Sequence, residues 1–435
     1  MANTYLTRTP SSTSNQQKVT FSVWIKRCKS GGEAIYSIGG SVDQNYYVDL
    51  IFDSDFLEMN WYDGSGNHSI KTNRLFRDTS AWYHLVVAID TTQSTASNRV
   101  KIYVNGILET SFSSADYMNQ NQNMMFNTSS REIRIGQRVN GSDSANIIMS
   151  HFHCADGTAL APTVFGETDS TTGEWKIKVS PSFTPGTNGF TILKDSNTIT
   201  DQSANSNNFS LGAGAITATK DCPSNVFCTF NKLYNTNANG DLIPVLTSGN
   251  TILLGHGGSY WYQIPGTLAF TSGKFYWECK FNSGTNLDKN TPGVIDYEKC
   301  FGTGQFQDQT GSVFYKNEDG GETRLDSSTS SANYGTLTQN QILGVAVDMD
   351  AGTPTVKFYR NGSLLATVNA SSLAGKSVTP AQMVYGSGQF QLNFGNGYFG
   401  TTAVSSAGTN ASGNGIFEYD VPSGYTALST KGLNL

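Results

Sequence analysis

Apolar and polar residues alternate with a period of two along most of this chain. Val19 to Lys26 reads V-T-F-S-V-W-I-K, and Lys101 to Val104 and Ile133 to Ile135 follow the same rule. Gly273 to Phe281 (G-K-F-Y-W-E-C-K-F) and Val356 to Tyr359 continue it in the second half. Successive side chains of a strand point to opposite faces, so this alternation predicts strands with one buried and one polar face. Turn signals separate the runs: Asp63-Gly64, Asn105-Gly106, Asn140-Gly141, Asp319-Gly320 and Asn361-Gly362. Short strands with this punctuation predict antiparallel sandwiches. Helical character is confined to a single expected turn over Ser371 to Gly375.

One pattern occurs twice. Leu85 to Asp90 (L-V-V-A-I-D) leads into Val100 to Gly106 (V-K-I-Y-V-N-G). Leu343 to Asp348 (L-G-V-A-V-D) leads into Val356 to Gly362 (V-K-F-Y-R-N-G). Each reads as a buried strand, an acidic turn, and a strand ending in Asn-Gly, which suits the positive φ angles of a two-residue hairpin. Two copies of one architecture are therefore expected. Between them, Asp156 to about Lys232 is richer in proline and polar tracts, yet holds the apolar pieces Trp175 to Val179 and Gly189 to Leu193. The predicted organisation is a sandwich over 1–155, an ordered connector packed on it over 156–235, and a second sandwich over 236–435. The second sandwich is expected to end in an exposed loop, Thr401 to Gly415, and a packed segment, Tyr419 to Leu428.

Composition narrows the function. The 435 residues include 28 basic and 34 acidic side chains, a formal net charge of −6. Few cations are available to neutralise phosphates, so nucleic acid is not an expected partner. Charged residues are only 14% of the chain, while Phe, Tyr and Trp number 24, 20 and 6. Coiled coils and disordered chains have the opposite balance. The longest apolar runs are five or six residues, too short for a membrane-spanning helix, so no membrane insertion is expected. The first residues lack the basic and apolar blocks of an export signal. Six cysteines, at 28, 154, 222, 228, 279 and 300, form no Cys-x-x-Cys pair and are expected as reduced, mostly buried thiols.

Phe21 to Lys26, Trp82 to Val87 (W-Y-H-L-V-V) and Val100 to Gly106 resemble the laminin-G-like, concanavalin-like jelly rolls. Gly273 to Glu278, Leu343 to Asp348, Phe358 to Gly362 and Phe394-Gly395 resemble a SPRY domain, also a concanavalin-like sandwich. These resemblances imply an all-β fold of two tandem concanavalin-like jelly-roll β-sandwiches. Further pieces resemble virion proteins of tailed bacteriophages, especially marine ones. They are Tyr5 to Ser12, Asp156 to Leu160, Phe165 to Glu167, Asp201 to Ser203, Asn207 to Phe209, Asp221 to Asn225 and Pro422 to Leu428. That resemblance covers nearly the whole chain. It implies a structural or host-adhesion component, assembled in the host cytoplasm, with other virion proteins and a host glycan or receptor as partners.

Candidate chemistry is sparse. The glucanases of this fold carry Glu-x-Asp-x-Glu on one strand face, and retaining enzymes need two carboxylates about 5–5.5 Å apart. The nearest match, Val294-Ile295-Asp296-Tyr297-Glu298, has valine at the nucleophile position. His151 and His153 fall on one face of a strand, with Cys154 on the other, and lack a third zinc ligand of suitable spacing; packing is the expected role. Asp53 and Asp55 are calcium candidates by the resemblance to laminin-G-like domains, although two aspartates do not make a six- to eight-oxygen shell. Asp348 and Asp350 read as turn residues. Trp61-Tyr62-Asp63 and Tyr260-Trp261-Tyr262 place aromatic rings beside turns, where planar faces suit sugars and protein surfaces. The expectation is a non-enzymatic virion protein without a required cofactor, oligomeric on the particle. It would be a tail- or fibre-associated adhesin, or alternatively a capsid decoration or scaffold protein.

Overall fold

A computed structural model describes residues 3–39, 46–234, 244–283, 289–330 and 332–435. The expected second-domain start at 236 lies outside them. The described residues form strands, short 3₁₀ turns and loops, without an α-helix. The chain divides into two compact units, 1–218 and 219–435.

The first unit contains β1 (Tyr5–Arg8), β2 (Lys18–Arg27), β3 (Glu33–Gly39), β4 (Tyr46–Asp53), β5 (Phe56–Asp63) and β6 (Asn67–Leu75). It continues with β7 (Trp82–Asp90), β8 (Val100–Val104), β9 (Ile107–Leu108), β10 (Phe112–Ala115), β11 (Glu132–Ile135) and β12 (Ile147–Asp156). Four short strands follow: β13 (Gly166–Thr168), β14 (Trp175–Ile177), β15 (Phe190–Ile192) and β16 (Ser210–Ala213). One sheet runs β10-β6-β5-β4-β3-β11-β1-β16 and the other β15-β12-β2-β7-β8-β9, with antiparallel pairing throughout. Alternate residues of β2 (Val19, Phe21, Val23, Ile25) meet Val48, Leu50 and Phe52 of β4 and Leu57, Met59 and Trp61 of β5 in one core.

The other face of β2 departs from simple alternation, because Thr20, Ser22, Trp24 and Lys26 are buried too. The cover is the connector. His84 of β7 lies between the rings of Trp24 and Trp175, at centroid distances of 4.7 and 6.0 Å. His153 packs against Phe165 and Phe183 at 5.5 Å each. β15 extends one sheet beside β12 and β16 extends the other beside β1. Asp201 fixes the local path: its Oδ1 accepts the Thr191 and Ser203 amides, and its Oδ2 accepts the Asn207 amide. Residues 156–218 are thus an integral layer of the first unit.

The rest of the expected connector belongs elsewhere. The Cys228 amide donates to Leu428 O at 3.0 Å, and Phe230 bridges to Gly266, so 219–234 build the second unit. The division therefore falls at Ala218/Thr219, because the apolar residues Phe227, Cys228 and Phe230 enter the second core.

The second unit contains β17 (Val245–Thr247), β18 (Ile252–Leu254), β19 (Trp261–Pro265), β20 (Lys274–Ser283), β21 (Thr291–Asp296) and β22 (Ser312–Lys316). Next come β23 (Glu322–Leu325), β24 (Ser328–Thr329), β25 (Ile342–Asp348), β26 (Thr355–Arg360), β27 (Ser363–Asn369), β28 (Val378–Tyr385) and β29 (Gln389–Asn393). The sheets run β17-β18-β29-β20-β25-β26-β27 and β19-β28-β21-β22-β23-β24. Phe275, Trp277, Cys279 and Phe281 of β20 face the core. Glu278, on the opposite face, is wholly buried beneath the tail: its Oε2 accepts the Glu418 amide and its Oε1 the Tyr419 amide, both at 2.9 Å.

The sequence repeat is a repeat of structure. Asn105 and Asn361 have φ of 50° and 46°, and the glycines after them 79° and 81°. Asn105 Oδ1 accepts the His84 amide at 2.8 Å, and Asn361 Oδ1 accepts the Ile342 amide at 2.9 Å. Lys18 pairs with Asp90 at 3.4 Å, and Lys274 with Asp348 at 3.0 Å. Each unit is a two-sheet antiparallel β-sandwich built on the same hairpin.

Candidate functional site

A groove of about 340 Å³ opens at the rim of the first sandwich, between the ends of β4 and β5 and the segment 119–125. Register places Tyr46 opposite Asp63, Tyr47 opposite Tyr62, and Val48 opposite Trp61. Val48 and Trp61 belong to the core face, so Trp61, 1% exposed, lines the groove as a floor and not as an open platform. Among the described residues its indole Nε1 has no hydrogen-bond partner. Tyr46, at 37% exposure, meets the half-buried Tyr62 edge to face at 6.2 Å, which turns the two rings into a corner.

The polar wall is a relay. Asp63 Oδ1 accepts the Ser65 amide at 2.9 Å, the Ser65 hydroxyl at 2.6 Å and the Gly66 amide at 3.3 Å. Asp63 Oδ2 accepts Gln122 Nε2 at 3.2 Å, and Gln122 Oε1 accepts the Asn119 amide at 2.7 Å. Gln122 thereby ties the 119–125 segment to β5. His68 stacks on Trp61 at 5.4 Å; its Nδ1 is 2.5 Å from Asp116 Oδ2 and its Nε2 is 3.3 Å from Asp63 Oδ2. The latter contact is electrostatic, since it lacks hydrogen-bond alignment. Partial burial raises the Asp63 carboxyl, but its donors and His68 outweigh this and bring it to about 2. The Asp116 hydrogen bond holds the His68 imidazole above its ordinary value.

The second aromatic candidate divides by strand parity. Tyr260 is 56% exposed, Trp261 packs edge-on to Tyr385 at 5.4 Å, and Tyr262 is buried with its hydroxyl donating to Gly257 O at 2.8 Å. Of the expected ligand residues, Trp61 and Tyr262 are therefore core residues. Tyr62, Asp63, Tyr260 and Trp261 reach the rims. Tyr46, Tyr47, His68, Asn119, Gln122 and Asn123 were not among the expected residues. The Asp63–His68 spacing across a tight turn was a local hint; Asn119 to Asn123 carried none.

The calcium candidates are committed to cations of the protein. Asp53 pairs with Lys71; Asp55 Oδ1 lies 3.1 Å from Arg27 and its Oδ2 3.6 Å from Arg77. Among the described residues, no group of three His, Cys, Asp or Glu is placed to hold a metal. His151 has φ of 51° at a bulge in β12, and its ring lies 6.0 Å from that of His153, whose Nδ1 is 2.9 Å from Thr191 Oγ1. Burial brings His151 to about 4 and His153 to about 3.

Two constellations with catalytic residue types have structural tasks. Val294 is in the core; Asp296 caps a 3₁₀ turn through the Glu298 amide at 3.3 Å and lies 3.5 Å from Lys376. Glu298 is exposed. Ser22 Oγ is 2.9 Å from His84 Nε2, but Trp175 Nε1 donates to His84 Nδ1 at 2.9 Å. With Nδ1 accepting, the neutral imidazole carries its proton on Nε2 and donates to Ser22, the reverse of a general base. Burial holds His84 down to about 3.

Residues 2–156 match the Laminin_G_3 family of the concanavalin A-like lectin/glucanases superfamily. Similar solved structures include the SPRY domain of human HERC1, 18% identical over 33% of this chain and 87% of that chain, with a TM-score of 0.28. The TRIM65 PSpry domain is 15% identical over 38% and 88%, with a TM-score of 0.31. The native heptameric SAP-like pentraxin from Limulus polyphemus is 18% identical over 36% and 71%, with a TM-score of 0.26. No curated protein sequence matches the chain significantly.

Proposed function

We propose that this chain is a non-enzymatic structural protein of a tailed-phage particle, a tail- or fibre-associated adhesin presenting sandwich rims to a host-surface glycan or protein. The observation that carries this reading is the rim groove, where a tyrosine corner stands beside the 119–125 segment that Gln122 ties to Asp63. Aromatic faces next to exposed amide side chains such as Asn119 and Asn123 suit sugar rings. The lectins in the superfamily description that fits residues 2–156 support the same ligand class. The virion setting rests on the resemblance of the opening, connector and closing motifs, such as Tyr5 to Ser12, Asp221 to Asn225 and Pro422 to Leu428, to those of tailed-phage virion proteins. A catalytic role is disfavoured by the tasks of Asp296 and His84, which hold a turn and a hydrophobic layer. One shallow site binds weakly, and copies arrayed on a particle raise the total by ~10²–10⁴.

The second reading, a capsid decoration or scaffold protein, is favoured by apolar edges: Ile107 and Leu108 on β9 and Leu364 on β27 are exposed. Exposed edge strands are pairing surfaces for other subunits. Fluorescently labelled chain, mixed separately with host cells and with purified particles, distinguishes the two. Binding to cells that is competed by envelope polysaccharide supports the adhesin. Binding to particles alone overturns it.

A further inference from the structure

The charge of the rim groove narrows the ligand beyond a glycan in general. This inference rests on the adhesin reading and deepens it. Among the described residues lining the groove there is no lysine or arginine, and the ionised group is Asp63, whose carboxyl sits near 2. Asp116 stands directly behind, bonded to His68. Nearby Arg138 is committed to Asp49 at 2.6 Å and Asp143 at 3.4 Å. Among the described residues the nearby cations, His68 and Arg138, are already paired with carboxylates, so an acidic sugar placed here would meet like charge without an uncommitted cation, which disfavours such partners. Both Asp63 oxygens already accept internal donors, so the carboxylate supplies potential more than a fresh bonding site.

The groups left to a ligand are neutral. Tyr46 and Tyr62 give two ring faces, exposed Asn119 and Asn123 stand opposite, and Met125 lines the same wall. On the floor, Trp61 is buried and supplies apolar surface only. A volume of about 340 Å³ lies at the small end of the ~300–1,000 Å³ typical of ligand clefts, which fits a short saccharide and not a folded protein. We infer that the groove takes an uncharged saccharide unit, stacked on the Tyr46–Tyr62 corner and hydrogen-bonded by Asn123, and rejects uronate- and sialate-bearing sugars.

Calorimetric titration of the whole chain tests this, with cellotetraose and tetra-N-acetylchitotetraose as neutral probes and tetragalacturonate and sialyllactose as acidic ones. The expected result is binding of a neutral probe, weakened at least about tenfold by Tyr62→Ala and by Asn123→Ala. Tyr260→Ala, in the second unit, should leave it unchanged. Asn123→Lys should admit the acidic probes. If acidic probes bind the native chain and the same two substitutions abolish this, the charge inference falls while the adhesin reading stands. Neutral binding that survives both substitutions overturns the site. If no probe binds and labelled chain still adheres to cells, the saccharide inference alone falls; loss of cell adhesion as well overturns both.

Discussion

The buried carboxyl under the tail of the second unit makes a quantitative pH prediction. Burial pushes Glu278 up to about 7 from the ordinary 4.5, against the opposing effect of the amides of Glu418 and Tyr419. A folded-state value above the unfolded one means that the native unit holds a proton that the unfolded chain has released. The stabilisation is full below 4.5 and disappears as pH rises through 7. A shift of this size, at ~1.4 kcal/mol per pH unit, corresponds to up to about 3 kcal/mol lost between pH 4.5 and 7.5. Tyr276 Oη donates to Glu278 Oε1 at 3.3 Å and Asn393 Nδ2 to Oε2 at 3.4 Å, so these donors, like the two amides, oppose the effect of burial. Urea unfolding from pH 4.5 to 8, followed with hydrogen exchange in the peptide spanning 412–421, measures both the stability and its location. Glu278→Gln turns an amide N–H₂ toward a backbone donor and should cost about 1–3 kcal/mol at pH 5, with the wild-type slope removed. A second-unit stability that rises with pH over this window would refute the reasoning. So would a Glu278→Gln variant whose pH slope equals the native one.

Other expectations concern the packing. Trp175→Phe removes the donor to His84 Nδ1, so the imidazole should titrate above about 3 by NMR, and the first unit should lose roughly 1 kcal/mol. Arg27→Met leaves the wholly buried Glu33 without its 2.9 Å partner and should destabilise that unit by about 3–5 kcal/mol, read as a lower Tm of its transition. Asn361→Ala puts alanine at φ 46°, a conformation that asparagine tolerates better, and frees the Ile342 amide, a cost of about 2 kcal/mol in denaturant unfolding. Asn105→Ala should match it within the error, since the two turns share their geometry.

The strands, the paired architecture and the Asn-Gly hairpins were legible because each depends on neighbours within a few residues. Parity alone would have moved Trp61 and Tyr262 into the core, since they align with Leu57 and Met59 and with Ile264. The covering role of the connector was less visible. Trp24, His84 and His153 occupy nominally solvent-facing positions, and the rings that bury them come from residues 165, 175 and 183. The groove needs Asp63 and Gln122 together, and no periodicity links positions so far apart in the chain. The boundary at Ala218/Thr219 was displaced for the same reason: Phe227 and Phe230 look like connector residues until the tail they pack against is in place.

The opening and closing segments of the second unit lie side by side. Cys228 bonds to Leu428, Phe227 bridges Ser429, and the Thr430 amide donates to Val226 O at 2.9 Å. A short peptide could join Leu435 to Thr219, and a new start could be cut at the exposed Asn361–Gly362 turn, with every strand retained in a reordered gene. Tension applied through those two ends would peel this pairing from its mouth, one bond at a time, so the unit should yield at low force.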